Sequence, residues 1–232
     1  IEAYTVVDSF GGTFVNHEIV DAFEDQAAKL QERIGSRLQI EDVTWTYEEV
    51  TGALMPHLVH SAALADIVII GREPHEREFG GPAITLCGDL LAQLRNPLMS
   101  TGDEPADFDP FAPAMIAWNG SHEAENAVER ALDLLRPGTA IKVVQSGHLR
   151  PGRTPARRVV EYLQWHGFKP DFEDLGRRPG GAESILLDYA AGMHADCIIM
   201  GAFTHSRTRE LILGGVTDYL LRQSHIPLLM AH

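Results

Sequence analysis

One apolar segment occurs twice in this chain, and this repeat constrains the fold more than any other feature of the sequence. ADIVIIG at 65–71 recurs as ADCIIMG at 195–201, and NPLM at 96–99 recurs at the same spacing as IPLL at 226–229. A helix-like stretch precedes the first landmark in each copy, and another lies between the two landmarks. Because two landmarks at one spacing rarely coincide by chance, the sequence predicts a tandem repeat of one structural unit.

The second copy alternates short apolar runs with stretches of helical periodicity. Strands that alternate with helices predict a parallel sheet with helices on both of its faces. The segment 169–176 is more polar than the other strands and is predicted to be an edge strand. The predicted strands are 114–118, 140–144, 169–176, 196–200 and 227–231, and the predicted helices are 123–135, 155–167, 182–195 and 216–223.

The first copy is shorter, because its opening EAYTVV corresponds to the second strand of the other copy. We expect that about 30 residues, a strand and its crossover helix, precede Ile1. A linker rich in Asp, Pro and Gly at 100–113 separates the copies and predicts domains at 1–101 and 112–232. The predicted fold class is α/β, with two doubly wound five-stranded parallel sheets of order 3-2-1-4-5. The first sheet is expected to lack its N-terminal strand and helix in this chain.

Composition excludes several classes of function. The formal net charge of −14 argues against a nucleic-acid partner. No apolar run approaches about 18 residues, so no membrane span is expected. The basic stretch RPGRTPARR from Arg150 to Arg158 is predicted to be a solvated loop. Cys87 and Cys197 lie in apolar segments and are predicted to be buried thiols, which fits a reducing cytoplasm.

The predicted sheet order places a ligand crevice between the first and fourth strands of the second copy. The loop after the first strand is Asn119-Gly120-Ser121, and the loop after the fourth begins at Gly201. That second loop runs into a helix near Gly214-Gly215, whose free N–H groups favour an anion. Glycines beside strands and helices are also common for conformational reasons alone. Neither G-x-x-x-x-G-K-[ST] nor G-x-G-x-x-G occurs.

The segment GAFTHSRTRELILGGVTDYLLRQSHIPLLMAH resembles the C-terminal signature of the universal stress protein family. AMIAWNGSHEAENAVERAL resembles the opening strand and first helix of that family. The resemblance covers the whole second copy and, more weakly, residues 1–101. It implies a tandem member whose two halves pair through their last strands as an intrachain pseudo-dimer. It also implies that two chains can form a homodimer, and that the chain has a protein partner, which the sequence does not identify.

Nucleotide-binding members of the family carry G-x2-G-x9-G-[ST] followed by Val-Thr in this loop. Gly201 and Gly214 keep the spacing, whereas Thr204 replaces the second glycine and Gly215 replaces the final hydroxyl residue. Asn119 stands where binders have an Asp, and its amide cannot hold Mg²⁺ as a carboxylate would. The resemblance and the predicted crevice together assign nucleotide binding to Asn119, Ser121, Val144, Met200, Gly201, Thr204, Ser206, Gly214, Gly215, Val216 and Thr217.

The leading hypothesis is a cytoplasmic stress-response protein that acts as a regulatory module and binds ATP, ADP or AMP with Mg²⁺ through its second domain. The first copy has a degenerate loop, with Gly80-Gly81 followed by Pro82, and is expected to keep only the scaffold. No catalytic centre is expected, and His57 and His60 lack the further ligands that a metal site needs. The alternatives are a scaffold that works through its dimer-like surface without nucleotide, or a slow nucleotide hydrolase.

Overall fold

The computed structural model describes residues 2–5, 17–40, 42–50, 54–71, 82–101, 108–176, 181–202 and 214–232. The chain divides into two compact units, Ile1–Leu58 and Val59–His232. This division does not follow the repeat, because two strands of the first copy pair into the sheet of the second copy.

The first unit contains a β–α–β arrangement. Strand β1 (Glu2–Thr5) lies parallel to strand β2 (Thr46–Glu49), and the long helix α1 (His17–Ile40) connects them in sequence. A parallel pair of strands needs such a crossover, and a helix is its usual form. Trp45, just before β2, packs its ring against Gly35, where a Cβ atom would lie 3.1 Å from the ring.

The elements of the second unit follow the alternation that the sequence predicts. Helix α2 (Leu54–Ser61) crosses the boundary between the units in sequence. The other elements that the structure describes in this unit are β3 (Val68–Ile70), α3 (Pro82–Gln93), β4 (Leu98–Ser100), β5 (Ala114–Ala117), α4 (His122–Ala131), β6 (Ala140–Gln145), α5 (Ala156–Trp165), β7 (Lys169–Asp174), α6 (Ala182–Gly192), β8 (Cys197–Gly201), α7 (Gly215–Gln223) and β9 (Leu228–Ala231).

These strands form one seven-stranded sheet in the order β3-β4-β9-β8-β5-β6-β7. Every neighbouring pair is parallel except β4 and β9. The predicted α/β class with a mostly parallel sheet is confirmed. Counted from β5, the five strands of the second copy stand in the order 3-2-1-4-5.

Burial explains why the central strands are so apolar. Nearly every residue of β5, β8 and β9 is buried, because helices cover the sheet and α4 packs against both β8 and β9. Parallel strands covered on both faces have continuous Val, Ile and Leu runs for this reason. In β7 most side chains are exposed, and β7 pairs only with β6 in the described sheet, as predicted for an edge strand.

The first copy contributes strands to two separate sheets within the described residues. Strands β1 and β2 form a two-stranded sheet, whereas β3 and β4 belong to the seven-stranded sheet. The first copy was predicted to form a second doubly wound sheet, but its described strands do not form one continuous sheet.

The two copies meet through their last strands. Strand β4 pairs antiparallel with β9, and Met99 lies opposite Leu229. Both side chains are buried, at 6% and 1% exposure, so this seam is part of the core. The arrangement matches the pairing that the family resemblance implies for the two halves.

One local prediction is wrong. Helix α4 ends at Ala131 rather than at 135, because Leu134 and Leu135 both donate backbone hydrogen bonds to the carbonyl oxygen of Ala131 and form a turn. Leu135 stays buried in that turn, which explains why helical periodicity extends beyond the helix. Trp165, the last residue of α5, is 81% exposed.

Candidate functional site

Strand β5 pairs with β6 on one side and with β8 on the other. The strand order of the second copy therefore reverses at β5. Ala117, the last residue of β5, lies opposite Val144 of β6 and Met200 of β8. Ligands of open α/β sheets bind outside the carboxyl ends of the strands at such a reversal. We call the space between the carboxyl ends of β5 and β8 the crevice. Val144 and Met200 are buried at its base.

The turn after β5 uses its own polar side chains to shape the backbone. The side-chain oxygen of Asn119 accepts a hydrogen bond of 3.0 Å from the Ser121 N–H. The hydroxyl oxygen of Ser121 accepts one of 3.1 Å from the Ala124 N–H and thereby caps α4. Asn119 is exposed and Ser121 is fully buried. Asn119 therefore presents its amide NH₂ to solvent, while Ser121 serves the helix.

A close neighbouring loop explains why residue 120 is glycine. Gly120 has a φ of +66°, and a Cβ there would lie 2.6 Å from the Thr154 carbonyl oxygen and 2.9 Å from the Cβ of Arg153. Thr154 donates its N–H to the Gly120 carbonyl at 3.0 Å, and its own carbonyl accepts from the Trp118 indole at 3.0 Å. The loop between β6 and α5 is thus fixed against the turn after β5.

Gly201, the first glycine of the predicted cradle, is explained by packing within the protein. A Cβ at this position would lie 2.5 Å from the backbone nitrogen of Ala124 and 2.9 Å from the Cβ of Glu123. The start of α4 therefore approaches the end of β8 so closely that only glycine fits. The absence of a side chain at 201 does not by itself indicate a ligand.

Packing of the described residues does not explain why Gly214 and Gly215 are glycines. Among the described residues, a Cβ on either of them would meet no atom within 4 Å, and the φ of Gly214 is −60°. Helix α7 begins here without a side-chain cap, and its first internal bond runs from the Asp218 N–H to the Gly214 carbonyl. The N–H groups of 215–217 precede that bond and have no partner in the described part of the chain. Within the described residues, no atom thus lies close to the positive end of this helix dipole.

One acidic residue, Asp218, lies in the first turn of α7 and forms an ion pair with Arg222 of the same helix. The Arg222 side chain donates a hydrogen bond of 2.9 Å to the Asp218 carboxylate. That hydrogen bond raises the pKa of Arg222. The pairing offsets part of the negative charge that would otherwise oppose an anion at this helix start.

Glu123 is a residue of the crevice that the sequence analysis did not single out. It follows the cap of α4 and lies against Gly201. One of its carboxylate oxygens, Oε2, is buried and has no hydrogen-bond partner among the residues that the structure describes. Nothing in the sequence signals this, because exposed acidic residues are common in the first turn of a helix.

The other candidate groups do not form a site. No cluster of three or more metal-ligating side chains occurs within the described ranges. His57 lies 3.4 Å from Glu48. Cys87 and Cys197 are buried as predicted, and burial raises the pKa of the Cys197 thiol to about 12. A helix long and apolar enough to cross a membrane is absent from the described residues.

Comparison with known proteins identifies the region around the crevice. The model of the universal stress protein family matches residues 156–232, which run from α5 to β9. The segment from α5 to β9 is thus similar to the universal stress protein family. A universal stress protein of Synechocystis sp. is 27% identical over 187 residues, which cover 77% of this chain and 62% of that protein. The chain thus spans less than two thirds of the length of this relative.

Solved universal stress proteins share the fold of the chain beyond the matched segment. One from Archaeoglobus fulgidus DSM 4304 superposes with a TM-score of 0.69 at 13% identity, covering 95% of this chain and 81% of that one. A putative universal stress protein from Pseudomonas aeruginosa UCBPP-PA14 gives a TM-score of 0.58 at 12% identity, covering 88% and 77%. At such identities the likeness shows the fold.

Within this universal stress protein fold, the structure brings together only part of the predicted site. Asn119, Ser121, Val144, Met200 and Gly201 meet at the carboxyl ends of β5, β6 and β8. Gly214, Gly215, Val216 and Thr217 form the start of α7, and Thr217 is buried. Thr204 and Ser206 lie outside the described residues.

Proposed function

We propose that this chain is a universal stress protein, that its second half binds an adenine nucleotide in the crevice, with Mg²⁺, and that it acts as a regulatory module of a cytoplasmic stress response. The observation that carries the proposal is the start of α7, where two glycines meet no packing neighbour among the described residues and the first helix N–H groups have no described partner. Free N–H groups and a helix dipole together favour phosphate.

The proposed orientation of the nucleotide follows from the chemistry of the two sides of the crevice. We place the phosphates at the start of α7, with Thr204 and Ser206 as further donors. The base then lies toward Val144 and Asn119. Val144 is buried at the apolar base of the crevice, and the exposed amide of Asn119 can donate hydrogen bonds to a ribose or base.

We further propose that the chain works without nucleic acid or membrane and that its two halves act as a pseudo-dimer. Strands β4 and β9 already pair the two copies, and a homodimer would extend this arrangement. The high negative charge disfavours anionic polymers and membrane surfaces. The regulated partner is then a protein.

A scaffold without nucleotide is the second candidate. The observation that favours it is the turn after β5, where the side-chain oxygens of both Asn119 and Ser121 accept backbone hydrogen bonds. Groups satisfied within the protein are less available to a ligand. In that case the function lies on the protein surface.

Calorimetric titration of the intact chain with ATP, ADP and AMP in the presence of Mg²⁺ tests the proposal. Two variants at one open position sharpen the test. Gly215→Ser restores the hydroxyl of the family pattern and should strengthen binding roughly fivefold, as one hydrogen bond of about 1 kcal/mol predicts. Gly215→Asp places a carboxylate at the helix start and should weaken binding at least about tenfold by repulsion.

Both variants should fold normally, because the added side chain meets no neighbour among the described residues and Asp stabilises a helix start. Mass spectrometry of the denatured supernatant would detect a nucleotide carried through purification. If the wild type and Gly215→Ser both fail to bind, and nothing is released, the nucleotide proposal is wrong and the scaffold is favoured.

A further inference from the structure

The basic stretch at 150–158 lies beside the crevice rather than wholly in solvent. Arg150, Arg157 and Arg158 are exposed, as predicted for a solvated loop. Arg153 is only half-exposed, and its Cβ lies 2.9 Å from the position that a Cβ at Gly120 would take. The Arg153 side chain therefore starts at the turn that forms the β5 side of the crevice.

Several hydrogen bonds hold this part of the loop in place. The Arg153 N–H donates to the Arg150 carbonyl at 3.2 Å, and the neighbouring Thr154 N–H donates to the Gly120 carbonyl at 3.0 Å. The Thr154 hydroxyl donates to the carboxylate of Glu125 on α4. The backbone of residue 153 is thus held in place against the turn after β5, which fixes where its side chain begins.

No carboxylate among the described residues neutralises the charge of Arg153. Arg157 has a carboxylate neighbour, Glu161 at 3.6 Å, whereas Arg153 has no acidic partner among the described residues. The chain carries a formal net charge of −14, so the basic side chains that could bind an anion are outnumbered by acidic ones. A guanidinium is weakly hydrated and matches phosphate oxygens with two parallel N–H donors.

We propose that Arg153 binds a phosphate group of the ligand and makes the crevice selective for phosphorylated over unphosphorylated nucleosides. This inference rests on the proposed nucleotide function and adds a second anion-binding element, from the loop between β6 and α5, to the start of α7. It also accounts for the close approach of Arg153 to Gly120, because that approach fixes where the Arg153 side chain begins.

The test compares Arg153→Gln with Arg158→Gln, which removes the same charge from an exposed position of the same stretch. Both are titrated with AMP and with adenosine. For Arg153→Gln we expect the Kd for AMP to rise roughly tenfold or more, as for the loss of a charge-assisted hydrogen bond. The Kd for adenosine should be unchanged, and Arg158→Gln should match the wild type with both ligands. Arg153→Lys, which keeps the charge but not the fork, should fall between.

Each other result overturns the inference in a recognisable way. If Arg153→Gln binds AMP as the wild type does, Arg153 takes no part and the nucleotide proposal still stands. If AMP and adenosine weaken equally while the thermal midpoint is unchanged, Arg153 does not select for phosphate. If the wild type binds neither ligand, the proposed function fails and this inference fails with it.

Discussion

Glycines around the crevice fall into two groups, which differ in whether packing of the described residues excludes a side chain. At Gly120 and Gly201, a Cβ would collide with backbone atoms of the protein itself. At Gly214 and Gly215, nothing in the described part of the chain opposes a Cβ. Only the second pair therefore bears on a ligand, although in the sequence all four look alike.

Gly120→Ala should destabilise the protein by roughly 2 kcal/mol or more, because a positive φ strains an L-residue by about 1–2 kcal/mol and the new methyl group also meets the Thr154 carbonyl. Gly152→Ala is the matched control, since its φ is +79° but its Cβ would meet nothing within 4 Å. Urea unfolding of both variants would separate strain from collision. Equal losses would show that the contact with the loop contributes nothing.

At the scale of the elements, the edge strand β7 is held by one ion pair as well as by its backbone ladder. Lys142 of β6 donates a hydrogen bond to the carboxylate of Asp171 opposite it in β7. That bond raises the pKa of Lys142 and, together with the Phe172 N–H, lowers the pKa of Asp171. The pair should therefore stabilise the protein only while both groups are charged.

Asp171→Asn should lower the urea midpoint slightly near neutral pH, because an exposed pair contributes little. A lowered carboxylate pKa adds stability above the unfolded value of about 3.9, and this is lost as the pH falls through the folded value. The raised lysine pKa adds stability that is lost as the pH rises above about 10.4.

Wild type and Asp171→Asn should consequently converge in strong acid and in strong alkali. Asp188→Asn, an exposed carboxylate on α6, serves as the control and should follow the wild type throughout. A difference between Asp171→Asn and the wild type that persists unchanged in strong acid would contradict the role assigned to the pair.

Most elements were predictable because each has a local signal. Helices α5, α6 and α7 lie within a few residues of their predicted ranges, and the polar composition of Lys169–Asp174 marked the edge strand. The end of α4 was not predictable, since the turn after Ala131 keeps its leucines in the core and so continues the apolar pattern.

At the scale of the whole molecule, the seam between β4 and β9 determines how the two copies combine. Within the described residues, it is the one antiparallel junction in a sheet that is otherwise parallel. Because Met99 and Leu229 are buried in it, the seam contributes to the core of the second unit. It also explains why the compact units differ from the repeats.

Met99→Asp should destabilise the chain by about 3–5 kcal/mol, because an unpaired charge would be buried in the seam. The control is Ile69→Asp on the neighbouring strand β3, where the side chain is 60% exposed and the expected cost is about 1 kcal/mol or less. Denaturant unfolding followed by far-UV circular dichroism measures both. Similar losses in the two variants would mean that the seam is not a buried part of the core.

The sequence by itself determined the repeat, the α/β class, most of the helices and strands, the edge strand and the position of the crevice. These depend on local periodicity and on strand order, and both can be read along the chain. Only the tertiary structure decided which glycines the packing requires, that Ser121 caps a helix, and that Arg153 and Glu123 lie at the crevice. Such facts depend on distances between residues remote in sequence, and no local pattern encodes them.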